Sequence, residues 1–215
     1  MRHVICASLL LCPLTACMMQ PAAPKRAIVA VEPGEPWRET ASAEDALRID
    51  GLPATWTRVL ARLPARSRKE ATAEGPLLTA DAALDHPELP PGSYSCRVLR
   101  LGDGAGPLRL RAFKPNFCYV GAAGDRTLTL SKQTGSDLPA GRLHPYGDKR
   151  YVFLGANQRK AGDTSLAYAT DRTRDVGGVI ERVAPFRWRL VVPSRDERTL
   201  DVYELTPVPV ERQPG

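Results

Sequence analysis

From Ser93 to the end of the chain, turn signals recur every eight to fourteen residues, and no interval between them leaves room for a helical crossover. Parallel strands need a connection of a dozen or more residues, usually a helix, so strands in this half have to pair antiparallel. The run Pro91-Gly92-Ser93-Tyr94-Ser95-Cys96-Arg97-Val98-Leu99-Arg100-Leu101-Gly102 opens it, a turn-forming pair releasing a strand that carries a cysteine. The predicted strands are 94–101, 108–113, 117–122, 127–131, 141–146, 151–156, 165–169, 178–183, 186–192 and 200–206. So many short strands with tight connections favour a closed meander over a sandwich, since closure removes the edges that invite aggregation. The fold class is therefore mainly β with N-terminal helices (α+β): a small antiparallel calycin-like barrel over residues 91–207, capped by short helices over 37–90, with a tail at 208–215.

Within that half the clearest pattern sets Phe186, Trp188, Leu190 and Val192 on one face against Arg187 and Arg189 on the other, a half-buried strand with a polar outside. Tyr151-Val152-Phe153-Leu154 is apolar on both faces, so another element has to cover its outer side, and the N-terminal helices are the candidate. Ser42, followed by Glu44 and Asp45, predicts a capped helix through Ile49. A longer helix is predicted over 52–69, with Pro53 in its first turn, Trp56, Val59, Leu60 and Leu63 on one face, and Pro64 kinking or ending it. Gly75-Pro76 breaks the helix, and one more turn is predicted over 79–84 with Thr79 as cap. Arg58, Arg62, Arg66, Arg68 and Lys69 make the exposed face basic, either a solvated face or a contact with anionic headgroups.

The first residues read as a targeting signal. Arg2 precedes an apolar run, Val4 to Leu14, too short to span a membrane, and the run ends in Leu14-Thr15-Ala16-Cys17. That ending resembles a bacterial lipobox, in which Cys17 becomes the lipidated first residue; the alternative is an ordinary signal peptide over 1–16, cut after Ala16. Met18 stands where a retention Asp would otherwise sit, which under the lipobox reading implies outer-membrane sorting. Residues 17–36 form a Pro- and Ala-rich tether without hydrophobic period. Removing Cys6 and Cys12 with the signal and lipidating Cys17 leaves Cys96 and Cys118. In an exported, oxidising compartment the two form a disulfide or remain as buried thiols; a bridge closing about 23 residues would add roughly 3.4 kcal/mol.

The segments PGSYSCRVLRLG, KQTGS, YVFLGA, RDVGGVIERV, RWRLVVP and LDVYELTP occur here in order. Together they resemble a family of exported proteobacterial proteins, domain of unknown function 4893, over roughly residues 43–207. This chain has Asp137-Leu138 where the family pattern places Gln-Arg before the proline, and Ala169 where a Gly follows the tyrosine. The resemblance implies a place and a shape but carries no catalytic residues.

Among candidate sites, Leu101-Gly-Asp-Gly-Ala-Gly106 is followed by Pro107 and a strand rather than a helix, so it reads as a hairpin loop and not a phosphate cradle. His86 and His144 lack a nucleophile elbow, no His and carboxylate set has metal spacing, and Asp171, Asp175 and Asp196 sit beside arginines as surface ion pairs. Lys132, Gly135, Ser136 and Asp137, with Arg142 beyond, make either a plain turn or a binding loop at one mouth of the barrel. The net charge of +6 comes mainly from arginine, which reflects a GC-rich genome or an anionic partner, and no nucleic-acid module is recognisable. The expectation is a lipid-anchored envelope protein, without cofactor or metal, whose barrel, without catalysis, holds a ligand, an anionic envelope component or another envelope protein, as an inhibitor of that protein would; the alternatives are a structural lipoprotein whose arginines contact anionic glycan or lipid, and a hydrolase without a recognisable motif.

Overall fold

The structure, a computed structural model, describes residues 35–102, 109–122 and 127–213. The predicted signal, Cys17, nearly all of the predicted tether and residues 103–106 of the glycine-rich loop lie outside the described residues. Four α-helices lead the described chain: α1 (Trp37–Thr40), α2 (Ala43–Asp50), α3 (Leu52–Arg62) and α4 (Ala65–Ala73), followed by a 3₁₀ turn at Gly75–Leu77. Nine strands follow: β1 (Gly92–Leu101), β2 (Leu110–Ala112), β3 (Asn116–Ala122), β4 (Leu128–Lys132), β5 (Pro139–Tyr146), β6 (Arg150–Asn157), β7 (Asp175–Ala184), β8 (Arg187–Pro193) and β9 (Leu200–Pro207).

Every pairing between these strands is antiparallel, and β9 returns to lie along β1, closing an eight-stranded barrel. The ninth strand is half of another. β3 pairs with the start of β1 and β2 with its end, along the same edge, so β2 and β3 act as one strand interrupted at Phe113-Lys114-Pro115. Pro115 has no N–H to give the ladder there.

Closure sorts the apolar side chains into two cores. One face of the strands turns Tyr94, Cys96, Cys118, Phe153, Ile180, Trp188, Leu190 and Tyr203 into a filled barrel interior. The other face presents Leu99, Leu101, Val152, Leu154, Val179, Val191 and Val202, which pack against Trp37, Ile49, Trp56, Val59 and Leu63 of the helices. The helices thus cover the outer side of β6, as the doubly apolar run 151–154 demands. Ser42 caps α2, its hydroxyl accepting from the Asp45 N–H at 3.1 Å. The disulfide Cys96–Cys118 lies inside the barrel, joining β1 to β3 across a Cα–Cα distance of 5.8 Å.

Five local expectations are corrected. Residues 52–69 form two helices and not one, because Pro64 ends the first outright and stands as the N-cap of α4. Residues 79–84 are not helical: the Thr79 hydroxyl donates back to Gly75 O at 3.0 Å, and Leu84 forms an isolated bridge with Arg182. Phe186 does not enter the barrel; it occupies the β7–β8 turn after Pro185 with φ +54° and is 76 % exposed. Arg189 does not face water; it is 0 % exposed, beneath the helices.

Residues 165–169 form no strand. They belong to the long connection between β6 and β7, and Ala169 there adopts a left-handed φ of +65°. A Cβ in that region costs about 1–2 kcal/mol, against about 0.5–1 kcal/mol of extra backbone entropy for glycine. Ala169→Gly should therefore raise stability by about 0.5–1 kcal/mol in urea unfolding, and no gain would mean that the loop carries no strain. For the disulfide, alanine at both Cys96 and Cys118 should lower the unfolding free energy by about 3 kcal/mol. An unchanged midpoint would show that the packed interior alone holds β1 to β3.

Candidate functional site

The predicted binding loop closes one mouth of the barrel. Lys132, on the inward face at the end of β4 and 3 % exposed, donates from Nζ to the carbonyls of Ser136 and, at 3.2 Å, of Asp137. Burial lowers its pKa, with Asp137 and Asp201 opposing. Gly135 at φ +81° packs on Asn116, where an added Cβ would lie 2.5 Å from the amide oxygen. Beside them the Arg100 guanidinium donates to both carboxylate oxygens of Asp201 at 2.6 Å and reaches Asp137 at 3.4 Å. The ammonium and guanidinium at this mouth are thus taken up by the loop's own carbonyls and by β9. The opposite mouth is closed as firmly. Leu89 is buried among the interior residues, Tyr94 Oη donates to Pro90 O at 2.7 Å, and Trp188 Nε1 donates to Pro87 O at 3.1 Å.

Arg142 is not part of this plug. β4 and β5 pair with Thr129 opposite Arg142 and Leu130 opposite Gly141, which sends the Lys132 side chain inward and Arg142 out onto the wall. There it lines a groove of about 650 Å³ with Thr129, Ser131 and His144, roofed on one side by the Ser165 to Tyr168 loop. β5 and β6 approach so closely in its floor that a Cβ on Gly141 would sit 2.3 Å from Leu154 O, and one on Gly155 2.2 Å from Ala140 O. Tyr168 fastens the rim. Its hydroxyl donates to Asp45 Oδ2 at 2.5 Å and accepts from the Ser42 N–H at 2.9 Å. This anchor was missed in the sequence, where the only pointer was the family's preference for glycine after that tyrosine.

Electrostatically the groove is cationic. Burial, and then the charge of Arg142, pull the His144 pKa below its ordinary value, so the imidazole is neutral at neutral pH. Among the described residues, no carboxylate lies within ion-pair distance of the Arg142 guanidinium. A guanidinium, hydroxyls and a neutral imidazole on a firm floor suit a carboxylate or phosphate held by two parallel hydrogen bonds. On the neighbouring strand the exposed rings of Phe117 and Tyr119 continue the same wall.

The remaining candidates resolve into local structure. His86 adopts φ +59° and donates its backbone N–H to Asp148 O at 3.2 Å. Asp171, Asp175 and Asp196 are not ion-paired to the arginines beside them but order their own turns. They accept from Thr173, from the Ala169 N–H, and from Ser194 and Arg198 respectively. On the helices, Arg58 pairs with Glu197 at 2.9 Å and Arg66 with Glu70 at 3.0 Å, so the basic face is partly neutralised. Among the described residues no three His, Cys, Asp or Glu side chains gather as a metal ion would require.

No curated protein and no solved structure matches the chain. A family model does, over residues 37–205, the span from the first helix to the last strand of the barrel. The helices and the barrel are therefore one family unit, and the chain belongs to the family described as a domain of unknown function (DUF4893).

Proposed function

We propose that this chain is an envelope lipoprotein whose barrel recognises a partner on its outer wall and does not turn it over. One observation carries the reading: the interior is filled and both mouths are plugged, while the uncovered wall has a groove whose guanidinium pairs with no carboxylate among the described residues. A calycin-like barrel that holds its ligand inside needs an open lumen. Here the side chains and the disulfide occupy that volume, and recognition moves outside. The occupant best suited to the groove is an acidic segment of another envelope protein, its carboxylate on Arg142 and its apolar neighbours along Phe117 and Tyr119. Neutral His144 adds a hydrogen-bonding group. A guanidinium offers donors and no acceptor, which fits holding an anion rather than chemistry. The rival reading, arginines spread over anionic glycan or lipid, is less well supported because Arg38, Arg58, Arg97, Arg100 and Arg187 are engaged by the protein's own carboxylates.

The test titrates the full chain with a short Asp- and Glu-containing peptide and its Asn/Gln counterpart. The acidic peptide should bind, more weakly as salt rises, and Arg142→Gln should weaken it about tenfold, the loss of one charge-assisted pair. Ser136→Ala should leave it unchanged. Equal binding of both peptides, or no effect of Arg142→Gln, removes the groove from the proposal. Turnover of ester, peptide or glycan probes that a single substitution abolishes would overturn the non-catalytic reading.

Leu14-Thr15-Ala16-Cys17 supports a lipid anchor on Cys17, and Met18 supports the periplasmic side of the outer membrane as its location. Metabolic labelling with a palmitate analogue should mark the wild type and spare Cys17→Ala. Equal labelling of both, or of neither, rejects the lipid anchor.

A further inference from the structure

A second cavity, of about 180 Å³, lies between α2–α3 and the outer wall of β7 and β8, away from the groove. Its walls are apolar, built from Ile49, Leu52, Trp56, Val179 and Val191. A dry cavity of roughly 150 Å³ is enough for one benzene ring. Charge lies along one side of it. Glu181, almost fully buried, accepts from Arg189 Nε and from Arg150 Nε, each at 2.7 Å. The charged groups in the lining are two guanidiniums, Arg150 and Arg189, and two carboxylates, Glu181 and Asp81. Asp81 is exposed and forms no ion pair with either guanidinium among the described residues.

The hydrogen-bonding tally around this cavity is incomplete in two places. Arg189 is saturated: beyond Glu181 it donates to the carbonyls of Pro76, Leu77, Thr79 and Ala80 at 2.6–3.1 Å. Arg150 is not, for only its Nε has a partner among the described residues, leaving both terminal nitrogens as donors. The second gap is Trp56. It is 3 % exposed, and its indole N–H is fully shielded without an acceptor. Buried N–H groups in native proteins almost always have one. An apolar volume the size of one ring beside a guanidinium with two unused terminal nitrogens describes a ligand with complementary features.

We propose that this cavity binds a small monocarboxylate with a compact, ring-sized apolar body. The body packs between Leu52, Ile49, Val179 and Val191. The carboxylate accepts from the terminal nitrogens of Arg150, and the body lies against the Trp56 ring, whose indole signal reports binding. This site is independent of the groove around Arg142.

The experiment adds benzoate to the full chain labelled with ¹⁵N and follows the tryptophan indole N–H signals. The Trp56 signal is identified by its loss in Trp56→Phe, a change that keeps the apolar wall. Benzoate should shift that signal saturably, and its neutral counterpart benzamide should bind about tenfold more weakly. Arg150→Gln should reduce benzoate to the benzamide level, while Arg150→Lys, which keeps the charge but loses the fork, should fall between. All variants are compared only where their melting curves match the wild type. Were Arg150→Gln to fail this check, the benzoate-to-benzamide ratio on the wild type would decide alone. No saturable shift of the Trp56 signal with either compound, as expected if only water serves the indole, overturns the proposal. So does equal binding of benzoate and benzamide, or a benzoate affinity that Arg150→Gln leaves intact.

Discussion

One buried guanidinium joins the two halves of the described chain. Arg189, on the outer face of β8, donates to four backbone carbonyls between Pro76 and Ala80 and to Glu181 on β7, while its plane lies 4.6 Å from the centroid of the Trp56 ring on α3. Residues 76–80 follow the last helix and contain no regular ladder, so their carbonyls would be stranded under the helices without such a donor. Only arginine presents five donors in a fixed fork, and a lysine could not serve both the carbonyls and the carboxylate. Burial pulls its pKa down, with Glu181 opposing, and the arrangement holds because each charge has the other. Removing either partner from such a pair costs about 3–5 kcal/mol, since the survivor stays buried. The helical cap, the outer core and the cavity beside Trp56 all rest on this contact.

Filling the barrel has a comparable consequence on the inside. Eight strands enclose a volume that side chains can just occupy, and here Phe153, Ile180, Leu190, Trp188 and the Cys96–Cys118 bridge occupy it. The plugs at the two ends work differently. One is apolar, Leu89 set beneath Pro90 and Pro87; the other is polar, with Lys132 gathering the carbonyls of its own loop. A closed, cross-linked barrel is a rigid scaffold, and rigidity is what an outer-wall groove needs if Arg142 is to meet a partner without reordering.

Much of the architecture could be read locally. The turn rhythm, the Ser42 cap, the proline stop at Pro64 and the doubly apolar stretch 151–154 each depend on residues close in sequence, and each is realised. What failed depends on partners far along the chain. Alternation assigns Arg189 to the polar side of its strand, which is correct, but cannot reveal that helices cover that side. Phe186 satisfies the alternation as well as Trp188 does; the turn after Pro185 removes it, a backbone effect that hydrophobicity does not report. The site suffered most. Lys132 and Arg142 are near in sequence, yet the β4–β5 register places their side chains on opposite sides of the wall. A period-two element divides neighbours, and only the pairing says which face is inside.

The same logic governs how the chain's basic character should be interpreted. A net charge of +6 suggests an anionic partner, but the structure shows many arginines acting as internal ties: Arg97 between Glu74 and Glu204, Arg100 on Asp201, Arg38 on Asp50, Arg189 on Glu181. A guanidinium suits this use because its flat, weakly hydrated fork can bridge strands where an ammonium would demand water. Total charge therefore says little about recognition in this fold. The informative cations are those whose donors remain unused beside a formed concavity, as with Arg142 in the outer-wall groove and the terminal nitrogens of Arg150 beneath the helices. They differ in surroundings, one open and lined by hydroxyls, the other narrow and apolar. An acidic protein segment suits the first and a small carboxylate the second, because the wall around each cation decides what must accompany the anion.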